Sequence, residues 1–469
     1  MKINENKFGG KVIASGGFGC VFSPALKCKG KRREKNKISK VMTKKHAIAE
    51  YNEIINIKKK LIKIPNYSNF FLVDNFDICE PEKLSSRDLE NFKKKCSALP
   101  KDDIDKNSIN DSLNKIMALN MPNGGIPVDD YIYDNGSFEK LIPLNKCLIN
   151  LLINGIIPMN KNNVYHSDIK DSNILVNNNN GKIETKLIDW GLSVEYIPNI
   201  EQKFPRPWRN RPLQFNIPFS VIIFTDTFVE KYTKYIKDGG VTTYESLKPF
   251  VIDYFYIWIK KRGAGHYKFI NSIMFMLFSN ELQNIEQDVK IKMIETQYTI
   301  VNIVNYIVEV LIHFTKFRKN GTLNLRYYLD NVFIKNIDIW GFIMSYYPII
   351  ELLSNNYKNL NKQQLTIFNQ LKNIIIKYCY KSSIAPIDVN ELTNDLQKMS
   401  ILLENETQIN VASKTSIKTM NTTRKKGVTG RTFVPYSNSS KTSKSYFTKS
   451  KKSNTKKLKN LILLQKKKK

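Results

Sequence analysis

Alternating apolar and polar positions open the chain, and longer helical patterns follow. Residues 8–42 contain three short apolar runs separated by Gly-rich or basic turns, which predicts three antiparallel strands. Apolar residues in 46–64 recur at helical spacing with lysines on the opposite side, which predicts one amphipathic helix. The apolar run at 69–76 predicts another strand, and residues 116–132 predict a strand that runs into a Gly-containing turn. The first part of the chain is therefore predicted to be a small β-rich region with a single long helix.

Helical periodicity dominates after about residue 137, with one interruption. In NILVNNNNGKIETKLIDWG, which starts at residue 173, two β-rich runs flank an Asn/Gly turn and predict a hairpin. Residues 216–335 are helical in pattern and rich in aromatic side chains. The most apolar long stretch, 298–314, is interrupted by polar residues, so a buried helix is predicted there rather than a membrane span. No transmembrane segment is expected.

These patterns predict an α+β chain with two lobes and a tail. The small β-rich lobe is expected over residues 1–123, with a polar insertion at about 80–115. The large α-helical lobe is expected over 124–404, with a long helical insertion at about 216–335. Residues 405–469 are rich in Ser, Thr and Lys, and are predicted to form a disordered tail.

Positive charge is concentrated in that tail. The chain has a formal net charge of +32, and residues 411–469 contribute 18 Lys and Arg with no Asp or Glu, which leaves about +14 for the rest. A segment of this kind tethers a protein non-specifically to nucleic acid or to another anionic surface. Its aromatic residues are too sparse to predict a stacking platform for bases.

The six cysteines have neither the spacing of a zinc site nor the density of a disulfide scaffold. This usage favours a reducing, intracellular compartment. The N-terminus has no apolar run of signal-peptide length, so secretion is not expected. The cysteines are Cys20, Cys28, Cys79, Cys96, Cys147 and Cys379.

A glycine-rich stretch lies between the first two predicted strands. In ASGGFGCV, residues 14–21, three glycines leave backbone amides unobstructed by Cβ atoms, so that the loop can close over an anionic ligand. Lys40, on the third predicted strand, is placed to reach the phosphates of a nucleotide under this loop. Glu50 on the following helix is the first candidate partner for Lys40, and Glu53 is the alternative one turn later. Cys20 would lie over the nucleotide as a small strand side chain.

The stretch YHSDIKDSNILV, which starts at residue 165, supplies the groups of a phosphoryl-transfer site. Asp168 precedes a predicted strand, where its carboxylate can accept a proton from an attacking hydroxyl. Lys170 can neutralise charge on the transferring phosphoryl group, and Asn173 offers a carbonyl oxygen suited to Mg²⁺. The predicted hairpin folds back, so Asp189 can return to Asn173 and bind the same metal, and Gly191 then allows a sharp turn. Each residue alone has an ordinary explanation, but their order and spacing together predict one site.

These motifs resemble those of eukaryotic-type protein kinases. SGGFGCV resembles the Gly-rich loop, with Ala14 where the first glycine is usual, and HSDIKDSN resembles the catalytic loop. DWG resembles the metal-binding Asp-Phe-Gly, with Trp190 in place of Phe. The resemblance covers about 8–215 and 335–403. It implies a bilobal kinase fold that binds ATP with Mg²⁺, or with Mn²⁺ as the alternative metal.

The same resemblance implies a role for each site residue. Asp168 would be the catalytic base, and Lys170 would contact the phosphate. Asn173 and Asp189 would hold the metal. The implied ATP-binding residues are Gly16, Gly17, Phe18, Gly19, Val21, Lys40, Glu50, Met121 and Asn123, of which Lys40 and Glu50 would form the activating ion pair.

Lys170 separates this pattern from phosphotransferases of small alcohols, which usually lack a Lys two residues after the Asp. The Asp-x-Lys-x-x-Asn form resembles the Ser/Thr class rather than the Tyr class, so a Ser/Thr kinase with a protein substrate is expected. The composition, the MPNGG hinge at residues 121–125 and the large insertions are similar to those of kinases encoded by large DNA viruses. Two other classes stay open: a pseudokinase scaffold that binds partners without catalysis, and a nucleic-acid-binding protein in which the kinase fold is incidental.

Two regions near the site depart from the family pattern. Ser167 replaces an Arg that in many kinases binds a phosphate on the activation loop, and residues 194–214 contain no Ser or Thr. Activity is therefore predicted not to need phosphorylation of that loop. Pro122 has no N–H to donate to an adenine ring, so Met121 or Asn123 would have to do so.

The later part of the chain resembles the family less. DIW at 338–340 resembles the Asp-x-Trp that opens the central helix of the large lobe, although Asp338 would also suit a helix N-cap. The helical insertion is expected to pack on the large lobe or to dock a substrate or partner. A basic cluster near the site would either favour acidic or phosphorylated substrates or form a solvated loop. This cluster consists of Lys203, Arg206, Arg209 and Arg211.

Overall fold

Five strands and one long helix form the N-terminal region of the computed structural model, which describes residues 10–135, 137–179 and 181–412. The elements of this region are β1 (Lys11–Ser15), β2 (Gly19–Ser23), β3 (Lys37–Thr43), α1 (Lys44–Leu61), β4 (Asp77–Cys79), α2 (Phe92–Lys95) and β5 (Ile116–Pro122). The strands form one antiparallel sheet in the order β1-β2-β3-β5-β4. The predicted first three strands, the helix after them and the strand at 116–122 are confirmed.

The two faces of this sheet have different coverings. Along β3, Val41 packs into one apolar cluster and Met42 into another, as expected for side chains that alternate across a strand. Val21 of β2 pairs with Lys40 and shares its face, whereas Cys20 lies on the opposite face. Helix α1 packs on the Met42 face. The segment between β4 and β5 covers the Val41 face.

This segment, residues 80–115, is called the β4–β5 insertion below, and it is built mainly of turns. Its Cys96 is bonded to Cys20 of β2, and Cys79 of β4 is bonded to Cys28. The expectation that Cys20 lies over the nucleotide as a small strand side chain is therefore wrong, because Cys20 is on the face opposite Lys40 and is bonded to Cys96. The partners lie 76 and 51 positions apart in the sequence. The insertion brings Cys96 back to β2, and Cys79 of β4 meets Cys28 in the loop between β2 and β3, which residue spacing does not reveal. The intracellular location stays a prediction.

The remainder of the described chain is mainly helical. Its strands are β6 (Ile126–Pro127), β7 (Val164–Tyr165), β8 (Ile174–Asn179), β9 (Lys182–Leu187) and β10 (Val194–Glu195). Its helices are α3 (Val128–Asn135), α4 (Phe138–Leu151), α5 (Ile157–Lys161), α6 (Asp226–Lys237), α7 (Tyr244–Arg262), α8 (Tyr267–Phe278), α9 (Gln287–Met293), α10 (Ile300–Phe314), α11 (Arg326–Tyr328), α12 (Ile334–Met344), α13 (Tyr347–Asn355), α14 (Lys362–Ile374) and α15 (Val389–Ala412). β8 and β9 form the predicted hairpin.

Helix α12 lies at the centre of this helical region. Of its residues, only Lys335 is not buried, so the helix is surrounded by protein on nearly all sides. Trp340 packs edge-on against Phe219 and Tyr306, and its Nε1 donates to the carbonyl of Phe215 at 2.8 Å. The predicted helical insertion therefore packs on the large region through α10, which is buried as predicted. A β-sheet region followed by a helical region is consistent with a kinase-like bilobal fold.

One helix of the described chain is long and apolar enough to cross a membrane by length and composition alone. It consists of α4, a π-helical turn at Leu152–Ile156 and α5, and spans Phe138–Lys161. Half of it is buried inside the protein, where α4 packs against α15 and β9. The core helix of a globular protein meets the same criteria, so the expected lack of a transmembrane segment stays a prediction.

The strand predicted at 69–76 is wrong. The strand is instead β4, which follows this run, while Phe71 makes only an isolated bridge to Leu187. Phe70 packs so closely on Gly155 that a Cβ atom there would lie 2.9 Å from the Phe70 Cβ. The apolar residues of this run thus join the N-terminal region to the helical region instead of completing a sheet.

The predicted start of the tail at residue 405 is also wrong. Helix α15 continues to Ala412, and its Leu403 is buried in the main apolar core. The helix buries one side against α4 and α14, which extends it beyond the point where the composition changes. The basic segment from residue 413 onward, with its predicted disorder, lies outside the described residues.

The disulfides predict a thiol count. Alkylation of the denatured but unreduced protein should label Cys147 and Cys379 alone, because these are the free cysteines of the structure. Peptide mass spectrometry would identify the labelled residues, and a reduced sample serves as the control in which all six cysteines react. Label on Cys20 or Cys96 without reduction would contradict the pairing.

Candidate active site

The glycine-rich hairpin lies directly above Lys40. A Cβ atom on Gly16 would lie 3.6 Å from Lys40 Cε, so the loop passes over this side chain. Gly19 approaches β3 so closely that a Cβ would lie 2.3 Å from Met42 Cγ, which leaves no room for a larger residue. Lys40 Nζ contacts both carboxylate oxygens of Glu50, at 2.7 and 2.8 Å. Helix α1 therefore holds the lysine extended beneath the hairpin.

The other predicted nucleotide-binding residues of the hairpin lie around this point. Val21 pairs with Lys40 across the strands, and Gly17 and Phe18 form the tip of the loop. Phe18 is 42% exposed, and its ring lies 4.6 Å from the ring of His46 on α1. The hairpin thus contacts the same helix that supplies Glu50.

Glu50 is the partner of Lys40, and Glu53 is not. Burial alone would lower the pKa of Lys40, but the carboxylates of Glu50 and Asp189 outweigh it and raise the pKa, so the ammonium stays charged. Burial, together with the charges of Glu50 and Asp189, raises the pKa of Glu53 to about 7. Glu50, Glu53 and Asp189 therefore all act electrostatically on Lys40, and Glu50 is the one that contacts it.

Asp338 fixes the backbone at the start of the stretch HSDIKDSN, residues 166–173. Its carboxylate accepts the backbone N–H groups of His166 and Ser167, at 2.8 and 2.7 Å. The side-chain amide of Asn160 donates to the same carboxylate at 2.7 Å. Asp338 lies in the middle of α12, so the N-cap interpretation is wrong. The central helix fixes the path of the loop just before Asp168.

Four polar groups converge on the Asp168 carboxylate, which is only 2% exposed. Lys170 donates to Oδ2 at 2.7 Å, and the Asn173 amide donates to the same oxygen at 3.1 Å. Asn216 donates to Oδ1 at 2.9 Å, and the Arg211 guanidinium lies 3.6 Å from it. Burial would raise the pKa of Asp168, but Lys170 and Arg211 outweigh it and lower the pKa to about 2. The carboxylate is therefore ionised and oriented, as a proton acceptor must be.

The two predicted metal ligands are brought together. The Ile188 N–H donates to the Asn173 carbonyl at 3.0 Å, which places the next residue, Asp189, beside Asn173. The Asn173 amide nitrogen is committed to Asp168, so its Oδ1 is the atom left for a metal. Asp189 has a φ of 67°, a conformation that non-glycine residues keep only where the surroundings impose it. One carboxylate and one amide oxygen fit Mg²⁺, which takes its other ligands from water and phosphates.

Trp190 anchors the segment that follows the metal ligands. It is 2% exposed, and its ring lies 4.9 Å from the ring of His166 and 5.7 Å from that of Phe71. The tryptophan therefore packs between the catalytic loop and the N-terminal region.

Met121 and Asn123, the two predicted donors to adenine, direct their N–H groups toward β3 and the residue before it. The Asn123 N–H donates to the Asn36 carbonyl at 3.1 Å. Met121 lies two residues earlier on the same strand and pairs with Ile38, so the alternation of an antiparallel pair turns its N–H toward β3 as well. Pro122 between them has no N–H. The prediction that Met121 or Asn123 donates to adenine is not tested by these contacts and stays a prediction.

A buried tryptophan joins the segment after Asp189 to the catalytic loop. Trp208 is fully buried, and its Nε1 donates to Ser167 Oγ at 2.9 Å. Its ring packs edge-on against Tyr165 and Phe333. Ser167 is the position where the family pattern has a phosphate-binding Arg. A neutral hydrogen bond within an aromatic cluster thus occupies this position, and the independence from activation-loop phosphorylation stays a prediction.

The helical insertion holds two further points of this segment. Asp330 accepts the Asn199 N–H at 3.0 Å. The N–H of His266, in the loop between α7 and α8, donates to the Leu213 carbonyl at 2.9 Å. Gly265 lies so close to Leu213 that a Cβ atom would be 2.3 Å from the same carbonyl. The insertion therefore shapes the region beside Asp168 as well as packing on the large region.

Sequence analysis missed or misplaced two residues of the site. Asn216 belongs to no recognisable motif, and only the folded chain brings it to Asp168. Arg211 was grouped with a surface cluster, but it is 2% exposed and lies against Asp168. Arg209, by contrast, pairs with Asp226 at the surface at 2.7 Å. The predicted basic cluster therefore divides into a buried arginine and exposed residues.

Comparison with known proteins gives limited matches. No family model matches the chain, and no curated protein does. A crystal structure described as a kinase domain matches with 18% identity and a TM-score of 0.25. That match covers 48% of this chain, and this chain spans 60% of that domain. The β-sheet region and the helical region described above are what make the fold consistent with a kinase-like bilobal arrangement.

The Trp208–Ser167 hydrogen bond predicts a coupling energy. Trp208→Phe should lower the free energy of unfolding by more than about 2 kcal/mol, because it removes one buried N–H donor and leaves a cavity where the larger indole packed. Ser167→Ala should cost about 1 kcal/mol, and the double variant should cost less than the sum of the two. Chemical denaturation of the four proteins measures this cycle. Additive losses would show that the two side chains do not interact.

The raised pKa of Glu53 predicts a pH-dependent stability. Between about pH 4.5 and pH 7 the carboxyl is protonated in the folded protein and ionised in the unfolded chain, so its contribution to stability is lost as the pH rises through this window. Glu53→Gln should therefore gain stability relative to the wild type by on the order of 2 kcal/mol from pH 5 to pH 8. Denaturation in metal-free buffer measures the difference. Parallel pH profiles would contradict the assignment.

Proposed function

We propose that this chain is a protein kinase that transfers the γ-phosphate of ATP to Ser or Thr hydroxyls of a protein substrate. In this proposal Asp168 accepts the proton of the attacking hydroxyl, and Lys170 neutralises charge on the transferring phosphoryl group. Asn173 and Asp189 would hold Mg²⁺, with Mn²⁺ as the alternative, and the metal would supply positive charge beside the phosphates. The hydroxyl oxygen bonds to the γ-phosphorus as the bond to the β,γ-bridging oxygen breaks, and ADP leaves.

The observation that carries the proposal is the convergence of these groups on one another. An ionised carboxylate receives hydrogen bonds from Lys170 and Asn173, and the second metal ligand lies beside Asn173. The ion pair of Lys40 and Glu50 lies under the glycine-rich hairpin, where a nucleotide's phosphates would be bound. Phosphoryl transfer needs positioning and charge stabilisation more than covalent chemistry, and this arrangement supplies both.

The proposal extends to the surroundings of the enzyme. We expect an intracellular protein, similar to kinases of large DNA viruses, that meets protein substrates there. The basic segment beyond residue 412 would attach it non-specifically to nucleic acid or to an anionic surface. This attachment should weaken steeply with salt, as counterion release requires.

Transfer of labelled phosphate tests the function. The wild-type chain with Mg²⁺ should label Ser or Thr in a protein acceptor, and Asp168→Asn should reduce the rate at least about 100-fold, because the proton acceptor is lost. Asp226→Asn is the matched control, because it makes the same change at an exposed carboxylate. The ion-pair partner of Asp226 is Arg209, which is also exposed. The rate of this control variant should equal that of the wild type.

The other outcomes separate the alternatives. A wild type that binds ATP but labels no acceptor would contradict the proposal and favour a scaffold that binds partners without catalysis. Label on Tyr would contradict the Ser/Thr assignment alone. Loss of transfer after phosphatase treatment of the enzyme would overturn the independence from activation-loop phosphorylation.

A further inference from the structure

The β4–β5 insertion packs on the back of the glycine-rich hairpin. Phe92 and Leu99 of the insertion share an apolar cluster with Val12 and Phe22 of the hairpin. The Val12 N–H also donates to the Glu90 carbonyl at 3.2 Å. The opposite face of the hairpin, which includes the side chain paired with Lys40, is the one turned toward the nucleotide site. The insertion therefore supports the hairpin from behind and leaves that face open.

Ser15 joins the hairpin to the insertion at one end of residues 16–19, which are called the glycine loop below. Ser15 Oγ accepts the backbone N–H groups of Ser97 and Ala98, each at 3.1 Å. It also lies 3.2 Å from the Ser97 hydroxyl. Ser15 immediately precedes Gly16, so the first glycine of the loop is attached to a residue with a fixed position.

A disulfide joins them at the other end. Cys20 follows Gly19 directly and is bonded to Cys96, the neighbour of Ser97. Ser15 and Cys20 also face each other in the pairing of β1 with β2. Ser15 is thus attached to Ser97 and Ala98, and Cys20 to Cys96. Both ends of the glycine loop are held by the same short stretch of the insertion.

We propose that Ser15 and the Cys20–Cys96 disulfide are positioning groups that hold the glycine loop in place above Lys40, and that reduction of this disulfide weakens nucleotide binding. The proposal rests on the proposed role of the hairpin in binding ATP. A loop that is ordered before binding does not lose that conformational freedom when the nucleotide arrives, so its affinity is higher.

The redox step needs a thiol reductant. A dithiol donates two electrons and two protons to the disulfide, which becomes two thiols, and the dithiol is itself oxidised to a cyclic disulfide. The hydrogen bonds of Ser15 do not depend on this bond. The hairpin of the reduced protein is therefore loosened at one end and still held at the other.

The chain contains a matched control for this test. The second disulfide, between Cys28 and Cys79, closes a loop of comparable length in the same region but is not attached to the residues that flank the glycine loop. Losing either disulfide should destabilise the fold by a similar amount, because the chain-entropy cost depends on loop length. Only the loss of Cys20–Cys96 should change the nucleotide affinity.

Calorimetric titration of the full chain with Mg²⁺–ATP and with Mg²⁺–ADP tests the proposal. Cys96→Ser and Ser15→Ala should each raise the dissociation constant for both nucleotides about tenfold, roughly the effect of leaving one backbone residue to be ordered on binding. Cys28→Ser should lower the melting temperature but keep the wild-type dissociation constants. Ser15→Thr, which retains a hydroxyl acceptor, should keep dissociation constants close to those of the wild type.

Treatment with dithiothreitol tests the redox part. Reduced wild type should match Cys96→Ser in affinity, and reduction of Cys96→Ser should cause no further loss.

Wild-type affinities in both Cys96→Ser and Ser15→Ala would overturn the proposal, as would an equal loss in Cys28→Ser. If Cys96→Ser does not fold, Ser15→Ala and Ser15→Thr decide the positioning role. A wild type that binds neither nucleotide would overturn the proposed function as well, whereas labelled transfer with unchanged affinities in the variants would overturn this inference alone.

Discussion

The buried carboxylate of Asp338 is the contact on which the catalytic loop depends. A carboxylate inside a helix packed on all sides is stable there only if hydrogen bonds satisfy it, and the backbone of His166 and Ser167 provides them. The requirement acts in both directions, since those N–H groups would otherwise be buried without partners. The geometry around Asp168 is therefore set by the core of the helical region.

Local chain geometry explains why much of the site could be predicted. Asp189 returns to Asn173 because a short hairpin joins them, and Lys40 meets Glu50 because a helix directly follows its strand. Such relations are encoded within a few dozen residues, so spacing and periodicity reveal them. The α+β division followed from the change of hydrophobic period in the same way. The strand at 69–76 failed because an apolar run that joins two regions has the same composition as a strand.

Contacts between distant parts of the chain could not be predicted in this way. Asn216 and Arg211 reach Asp168 from a segment without a motif, and Trp208 reaches Ser167 from the same segment. The disulfides join cysteines 76 and 51 positions apart. In each case the pairing depends on how segments that are distant in the sequence fold against each other, and no periodicity in the sequence records that path. The residues that adjust the site are thus the ones that sequence patterns miss.

The end of β5 has a consequence for any molecule that contacts Pro122. Pro122 lies between two residues whose N–H groups face β3, and the same alternation turns the Pro122 carbonyl away from β3. At Pro122 this stretch therefore turns a carbonyl acceptor, and no backbone N–H, away from β3. A molecule that presents an N–H group to this carbonyl would find an acceptor, whereas one that presents a lone pair to it would bury that atom without a partner.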